Sequence, residues 1–144
     1  MSIEISYTTR VRYGDTDQMG VAYYANYLAW FEVGRTEFCR SLGKSYAFWE
    51  GEGVFLPVVE AHCRYKHPAR YDEEITLHTR VGELRPTTIT FECRVTRTSD
   101  GKLLAAGWTR HVFADREGRL IRGDNPMRRW IEAQKNDGGV ADGD

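Results

Sequence analysis

Residues 13 to 31 read Tyr13-Gly14-Asp15-Thr16-Asp17-Gln18-Met19-Gly20-Val21-Ala22-Tyr23-Tyr24-Ala25-Asn26-Tyr27-Leu28-Ala29-Trp30-Phe31. Two carboxylates stand two residues apart in a turn-like segment. Gly20 follows, then a short apolar piece, then the start of a strongly apolar helix. The first four N–H groups of a helix have no partner within it and carry a partial positive charge. A loop of carboxylates that runs into such a terminus brings two kinds of chemistry together. One group can attack a carbonyl or activate water, and the other can stabilise the negative charge that develops on oxygen. No relay of serine with histidine, or of cysteine with histidine, is required.

Outward from this stretch, the spacing predicts a helix over about 26 to 42. Tyr27, Trp30, Phe31, Gly34, Phe38 and Leu42 form one stripe at helical period, with Glu32, Arg35, Glu37 and Arg40 mostly off it. Asn26 is the expected N-cap, and Gly43 the expected stop. Gly34 costs roughly 1 kcal/mol in mid-helix relative to alanine; a close approach of helix to sheet would explain it. Upstream, residues 5 to 13 alternate as a half-buried strand. Downstream, residues 45 to 53 read as a short second helix ended by glycines.

Strand signals then take over. Val54 to His67 is long and rich in apolar residues. Ile75, Leu77, Thr79 and Val81 alternate with polar neighbours, as do Ile89, Phe91, Cys93 and Val95. Ser99-Asp100-Gly101 is a hairpin turn, and Leu103 to Ala114 is a further strand. Residues 127 to 134 read as a short last helix, and 136 to 144 as a glycine-rich, acidic, disordered tail. One strand, one long helix, then a run of antiparallel strands is an α+β layout. Residues 1–135 are expected to form one domain, a size that suits 144 residues.

A formal net charge of −1 provides no basic field for nucleic acid. No apolar run approaches a membrane span, and the first residues lack the pattern of a signal peptide. Cys39, Cys63 and Cys93 are odd in number and far apart, which predicts neither a metal pair nor a disulfide framework and suits a reducing cytoplasm. Asp15-x-Asp17 could hold a divalent cation only with further oxygen ligands, and no Asp or Glu lies between Asp17 and Glu32. No metal or cofactor is expected. His62, His67, His78 and His111 all fall in strand-like segments, and none precedes the long helix.

Tyr13, Gly14, Asp15-x-Asp17, Gly20, Tyr23-Tyr24 and Asn26-Tyr27, in this order and spacing, resemble the 4-hydroxybenzoyl-CoA thioesterase-like family of hotdog-fold acyl-CoA thioesterases. The likeness extends more loosely from about residue 7 to 131. It implies a hotdog fold, with a curved antiparallel sheet wrapped around one long helix. It also implies hydrolysis of an acyl-CoA thioester, with Asp17 as the catalytic carboxylate and the backbone N–H of Tyr24 polarising the carbonyl. Many bacterial members have histidine where this chain has Tyr24; the N–H survives that change, while any role of an imidazole does not. Tyr23, Asn26, Glu60 and Arg85 are the candidate substrate-binding residues. Arg85 precedes Pro86 where relatives often have two basic residues for CoA. The family builds its sites between subunits, which implies a homodimer or homotetramer, with the 58–60 segment supplying part of the partner's pocket. Two other functions fit the same residues: a thioesterase acting on acyl carrier protein, and a non-catalytic acyl-CoA-binding domain.

Overall fold

Alternating residues in the second half of the chain make strands whose apolar sides point one way. Ile75, Leu77, Thr79 and Val81 are buried on one strand, and Ile89, Phe91, Cys93 and Val95 on the next. The computed structural model describes the main chain of residues 3–142 and the side chains of residues 3–134. Its strands are β1 (Glu4–Arg10), β2 (Val58–Tyr65), β3 (Glu74–Leu84), β4 (Thr88–Arg97) and β5 (Leu103–Val112). They form one antiparallel sheet in the order β1-β3-β4-β5-β2, so β1 and β2 are its edges. Register shifts interrupt the β2–β5, β3–β4 and β4–β5 ladders, and such bulges add bend and twist to a sheet.

Helix α1 (Asn26–Ser41) lies across the apolar face of this curved sheet. Its 16 residues make a rod of about 24 Å. Phe31 is 1% exposed, and burial of such a side chain contributes about 1.5–3 kcal/mol. Phe38 meets Phe91 edge to face, with centroids 5.9 Å apart. Gly34 marks the point of closest approach: a Cβ there would stand 2.5 Å from Thr79 Oγ1 and 3.6 Å from Leu77 Cβ. The helix ends at Gly43, with φ +108°, and its N–H bonds Arg40 O at 3.0 Å. Helix α2 (Tyr46–Gly51) follows, with the Ser45 hydroxyl accepting from Phe48 N–H.

Several boundaries differ from the sequence reading. The first strand stops at Arg10 rather than Tyr13. The Asp15 carboxylate accepts the Arg12 N–H at 2.9 Å, and Tyr13–Asp15 turns as a short 3-10 segment. The apolar run from Val54 gives a strand only from Val58; before it, Phe55 forms a separate bridge to Ala114, and Pro57 has no N–H to give a ladder. Asn26 is the first helical residue rather than the cap; Ala25 stands at the cap without a side-chain bond. Arg35 is buried, at 8% exposure. It lies four residues after Phe31 and three before Phe38, so helical geometry puts on the stripe a residue that the sequence analysis set mostly off it. The last helix, α3 (Pro126–Asp142), continues past residue 134, where the sequence reading placed a tail from 136. The side chains of that tail, and residues 143 and 144 altogether, lie outside the described residues.

Candidate active site

The carboxylate stretch folds as a narrow hairpin. Thr16 bridges Ala22, Asp17 N–H bonds Val21 O at 2.9 Å, and Gly20 N–H bonds Asp17 O at 3.0 Å. Gly20 takes φ +79°, a conformation that a Cβ opposes. Asp17 stands at the exposed tip. Its Oδ1 accepts the Met19 N–H at 2.8 Å, and among the described residues no donor reaches Oδ2. One oxygen is therefore held by the backbone, and the other carries no hydrogen bond among the described residues. The cleft beside it measures about 520 Å³ and is lined by Tyr13, Thr16, Asp17, Gln18, Gly20 and Tyr71.

Asp15 has a different place. It is 4% exposed, and its carboxylate is taken by the Arg12 N–H and, at 3.1 Å, by the Arg12 guanidinium. Its carbonyl accepts Tyr23 N–H at 2.8 Å and Asn26 Nδ2 at 2.7 Å. Asp15 is thus the joint between the hairpin and the start of α1. Asn26, expected among the substrate contacts, spends its side-chain donor on that joint.

At the helix start, Asn26 N–H bonds Tyr23 O, and Tyr27 N–H bonds Tyr24 O. The N–H of Tyr24 has no acceptor among the described residues. The first turn of α1 holds no acidic side chain, so no carboxylate of its own first turn offsets the positive end of its dipole. The Tyr24 ring is 61% exposed, and the Tyr23 ring lies beside it at 4.8 Å. A cleft of about 250 Å³ adjoins this terminus, lined by Ala22, Tyr24, Tyr27, Tyr65, Lys66, His67 and Pro68. Asp17 and Tyr24 therefore line two separate clefts in the single chain, and the sequence-adjacent pair Val21-Ala22 runs between them.

Tyr65 and Tyr71 were not legible as site residues, because β2 and the approach to β3 bring them from far along the chain. The Tyr65 hydroxyl donates to Tyr24 O at 3.2 Å. Burial, then neighbouring Cys63, push its pKa up to about 12, so it stays a donor at neutral pH. Tyr71 N–H bonds Gly20 O at 3.3 Å, and its ring meets Tyr13 edge to face at 5.6 Å. Next to it Asp72 takes φ +69°, a left-handed geometry costly for a residue with a Cβ. It is held there by its N–H on Val11 O and by Arg10 on its carbonyl.

Glu60 and Arg85 are not brought to Asp17 within one chain. Glu60 pairs with Arg110 on the outer side of the β2–β5 ladder. Arg85 bonds Glu83 at the turn after β3. The Asp17 hairpin is tied to the other end of that strand, and its 11 residues span about 36 Å. Among the described residues no group of three or more His, Cys, Asp or Glu side chains is arranged to hold a metal ion, and no helix is long and apolar enough to cross a membrane.

Comparison with known proteins shows the family and the fold. The family model of the thioesterase-like superfamily matches residues 11–134. A Bacillus subtilis protein named as a candidate acyl-CoA thioesterase, YneP, is 37% identical over 107 residues, covering 74% of this chain and 77% of that one. The acyl-CoA thioesterase YbgC of Haemophilus influenzae is 36% identical over 95 residues, covering 65% and 70%. The crystal structure of a DHNA-CoA thioesterase from Staphylococcus aureus superposes with a TM-score of 0.85 at 28% identity, covering 96% of this chain and 93% of that one. The expected fold, a curved sheet around one long helix, is the one these neighbours share, and the chain belongs to the thioesterase-like superfamily as a hotdog-fold thioesterase.

Proposed function

We propose that this enzyme hydrolyses acyl-CoA thioesters to a free acid and CoA, with Asp17 as the reacting carboxylate and the Tyr24 N–H as the group that polarises the carbonyl. The observation that carries this reading is the joint at Asp15. Through Tyr23 N–H and Asn26 Nδ2 it fastens the hairpin bearing Asp17 to a helix terminus whose Tyr24 N–H is unoccupied. A thioester oxygen on that N–H gains stabilisation as it becomes an oxyanion. Asp17 Oδ2 then either attacks the carbonyl carbon, expelling thiolate to give an acyl-aspartyl anhydride that water opens to the free acid, or draws a proton from a water that attacks the carbonyl as thiolate leaves. Thiolate is a good leaving group, so no strong acid is needed on the sulfur side.

The two clefts of one chain call for a second copy. β2 is an edge strand with Val58 and Val59 exposed at 47% and 56%. An unpaired, apolar edge is a template for another strand. We place a homodimer contact there, with a homotetramer as its doubled form. The partner's Glu60 and Arg85 segments, remote from Asp17 within one chain, are the candidates to complete the pocket. The three free thiols suit a reducing cytoplasm.

The test is CoA release from a panel of short, medium, long and aromatic acyl-CoA esters by wild type and Asp17→Asn, with sedimentation giving the assembly state. A loss of turnover by a factor of roughly 10² or more is expected. Turnover retained in Asp17→Asn would remove that carboxylate from the mechanism.

A further inference from the structure

Helix α1 starts without the usual cap. Ala25 stands at the cap position in helical rather than extended backbone, and makes no side-chain bond to the free N–H groups. A cap side chain normally accepts from one of them. The terminus is held from outside instead. On one side Asp15 O takes Tyr23 N–H and Asn26 Nδ2. On the other, Tyr65, the last residue of β2, donates its hydroxyl to Tyr24 O at 3.2 Å.

Tyr24 stands between two peptide planes, and each plane turns as a unit. The plane before it carries the Tyr24 N–H; the carbonyl of that plane, Tyr23 O, accepts Asn26 N–H at 2.9 Å. The plane after it carries Tyr24 O, which takes Tyr27 N–H at 3.2 Å and the Tyr65 hydroxyl at the same distance. Both bonds are longer than the common values of about 2.9 Å for N–H and 2.7 Å for O–H donors. The second plane therefore depends on the pair.

Ring packing aims the Tyr65 hydroxyl. Its ring meets Tyr27 edge to face at 5.1 Å and Tyr24 at 6.3 Å. Tyr27 is itself fixed, at 3% exposure, with its hydroxyl accepting Ala69 N–H at 3.1 Å. Just after Tyr65, Lys66 N–H and His67 N–H both bond Leu104 O, which ties the end of β2 to β5. Phenylalanine would make the same ring contacts. The hydroxyl adds the bond to Tyr24 O and a weak contact with the Cys63 thiol.

We propose that Tyr65 is a positioning residue for the hydrolysis: its hydroxyl, on Tyr24 O, keeps the Tyr24 N–H aimed at the thioester oxygen. The inference rests on the reading of that N–H as the polarising group. An oxyanion donor is most effective when its direction is fixed before the charge develops. Tyr65 limits how far the Tyr24 backbone can turn, and acts through it without touching the substrate.

The experiment compares Tyr65→Phe with wild type in acyl-CoA hydrolysis, in thermal melts, and in amide hydrogen exchange of the free protein followed by NMR. The ring contacts are kept, so the thermal midpoint is expected within about 4 °C of wild type. A fall in kcat of roughly five- to tenfold is expected, with KM within about twofold, as for an interaction that counts in the transition state. Exchange at the Asn26 and Tyr27 amides is expected to quicken roughly fivefold, with amides of β3 and β4 unchanged. An unchanged kcat overturns the proposal. So does a fall in kcat without faster exchange, which would give the hydroxyl a direct contact with substrate. A wild type that cleaves no thioester is a separate failure: it removes the hydrolase reading, and this role with it, whatever the exchange shows.

Discussion

Asn26 Nδ2 donates to the main-chain oxygen of Asp15 at 2.7 Å, and through this bond the first residue of the long helix holds the hairpin that presents Asp17. Asn26→Ala removes the donor and leaves a partly buried carbonyl with only Tyr23 N–H. A loss of about 1 kcal/mol in unfolding free energy is expected, measured by urea titration. Turnover should fall further than stability accounts for, by roughly tenfold, because a small misplacement of a reacting group is costly. Asp15→Ala, which removes the buried carboxylate and leaves the Arg12 N–H and guanidinium without their acceptor, should cost about 1–3 kcal/mol.

The role proposed for Tyr24 lies in its backbone, so side chain and N–H can be tested apart. Tyr24→Phe should keep turnover within a few-fold of wild type. Tyr24→Pro removes the N–H and should lower kcat by about 10² or more, the size of one lost oxyanion donor. Circular dichroism of the Pro variant separates this from a helix that fails to start. Equal activity in both variants would show that the N–H holds no oxyanion.

Gly34 faces Thr79 with no room for a Cβ. Helix propensity favours Gly34→Ala by roughly 1 kcal/mol, but overpacking costs about 1–3 kcal/mol, so net destabilisation is expected in thermal melts. Thr79 Oγ1 is buried without a hydrogen-bond partner. Removing it in Gly34→Ala/Thr79→Ala should recover most of the loss, a coupling that a double-mutant cycle reads directly.

His111 is fully buried, its Nδ1 facing Leu56 O at 3.0 Å and its Nε2 facing Thr109 Oγ1 at 2.8 Å. A carbonyl can only accept, so Nδ1 carries the proton and Nε2 takes the Thr109 hydroxyl. Burial pulls its pKa from 6.5 down to about 4, against the Leu56 bond and with help from Arg35. Unfolded chains take up this proton near 6.5 and folded ones only near 4. Its contribution is therefore complete above pH 6.5, is lost as pH falls toward 4, and shrinks no further below that. The loss amounts to roughly 3 kcal/mol. Urea titrations across this window should show the slope in wild type and a flatter one in His111→Asn.

The sequence by itself determined the element types and which side of each strand faces the helix, because both follow from local period: two for β3 and β4, about 3.6 for α1. It also determined the carboxylate hairpin and its passage into a helix, since turn, glycine and helix start are neighbours in the chain. Glycine at 34 pointed to a close crossing, and the structure supplies the partner, Thr79. Only the tertiary structure decided the rest. Strand order set β2 at an edge and carried Tyr65 to Tyr24, through pairings that span tens of residues and leave no local trace. It likewise buried Arg35, which the sequence analysis set mostly off the apolar stripe. There packing overrode the preference of one side chain, because the helix cannot turn a single residue outward without turning Phe31 and Phe38 with it.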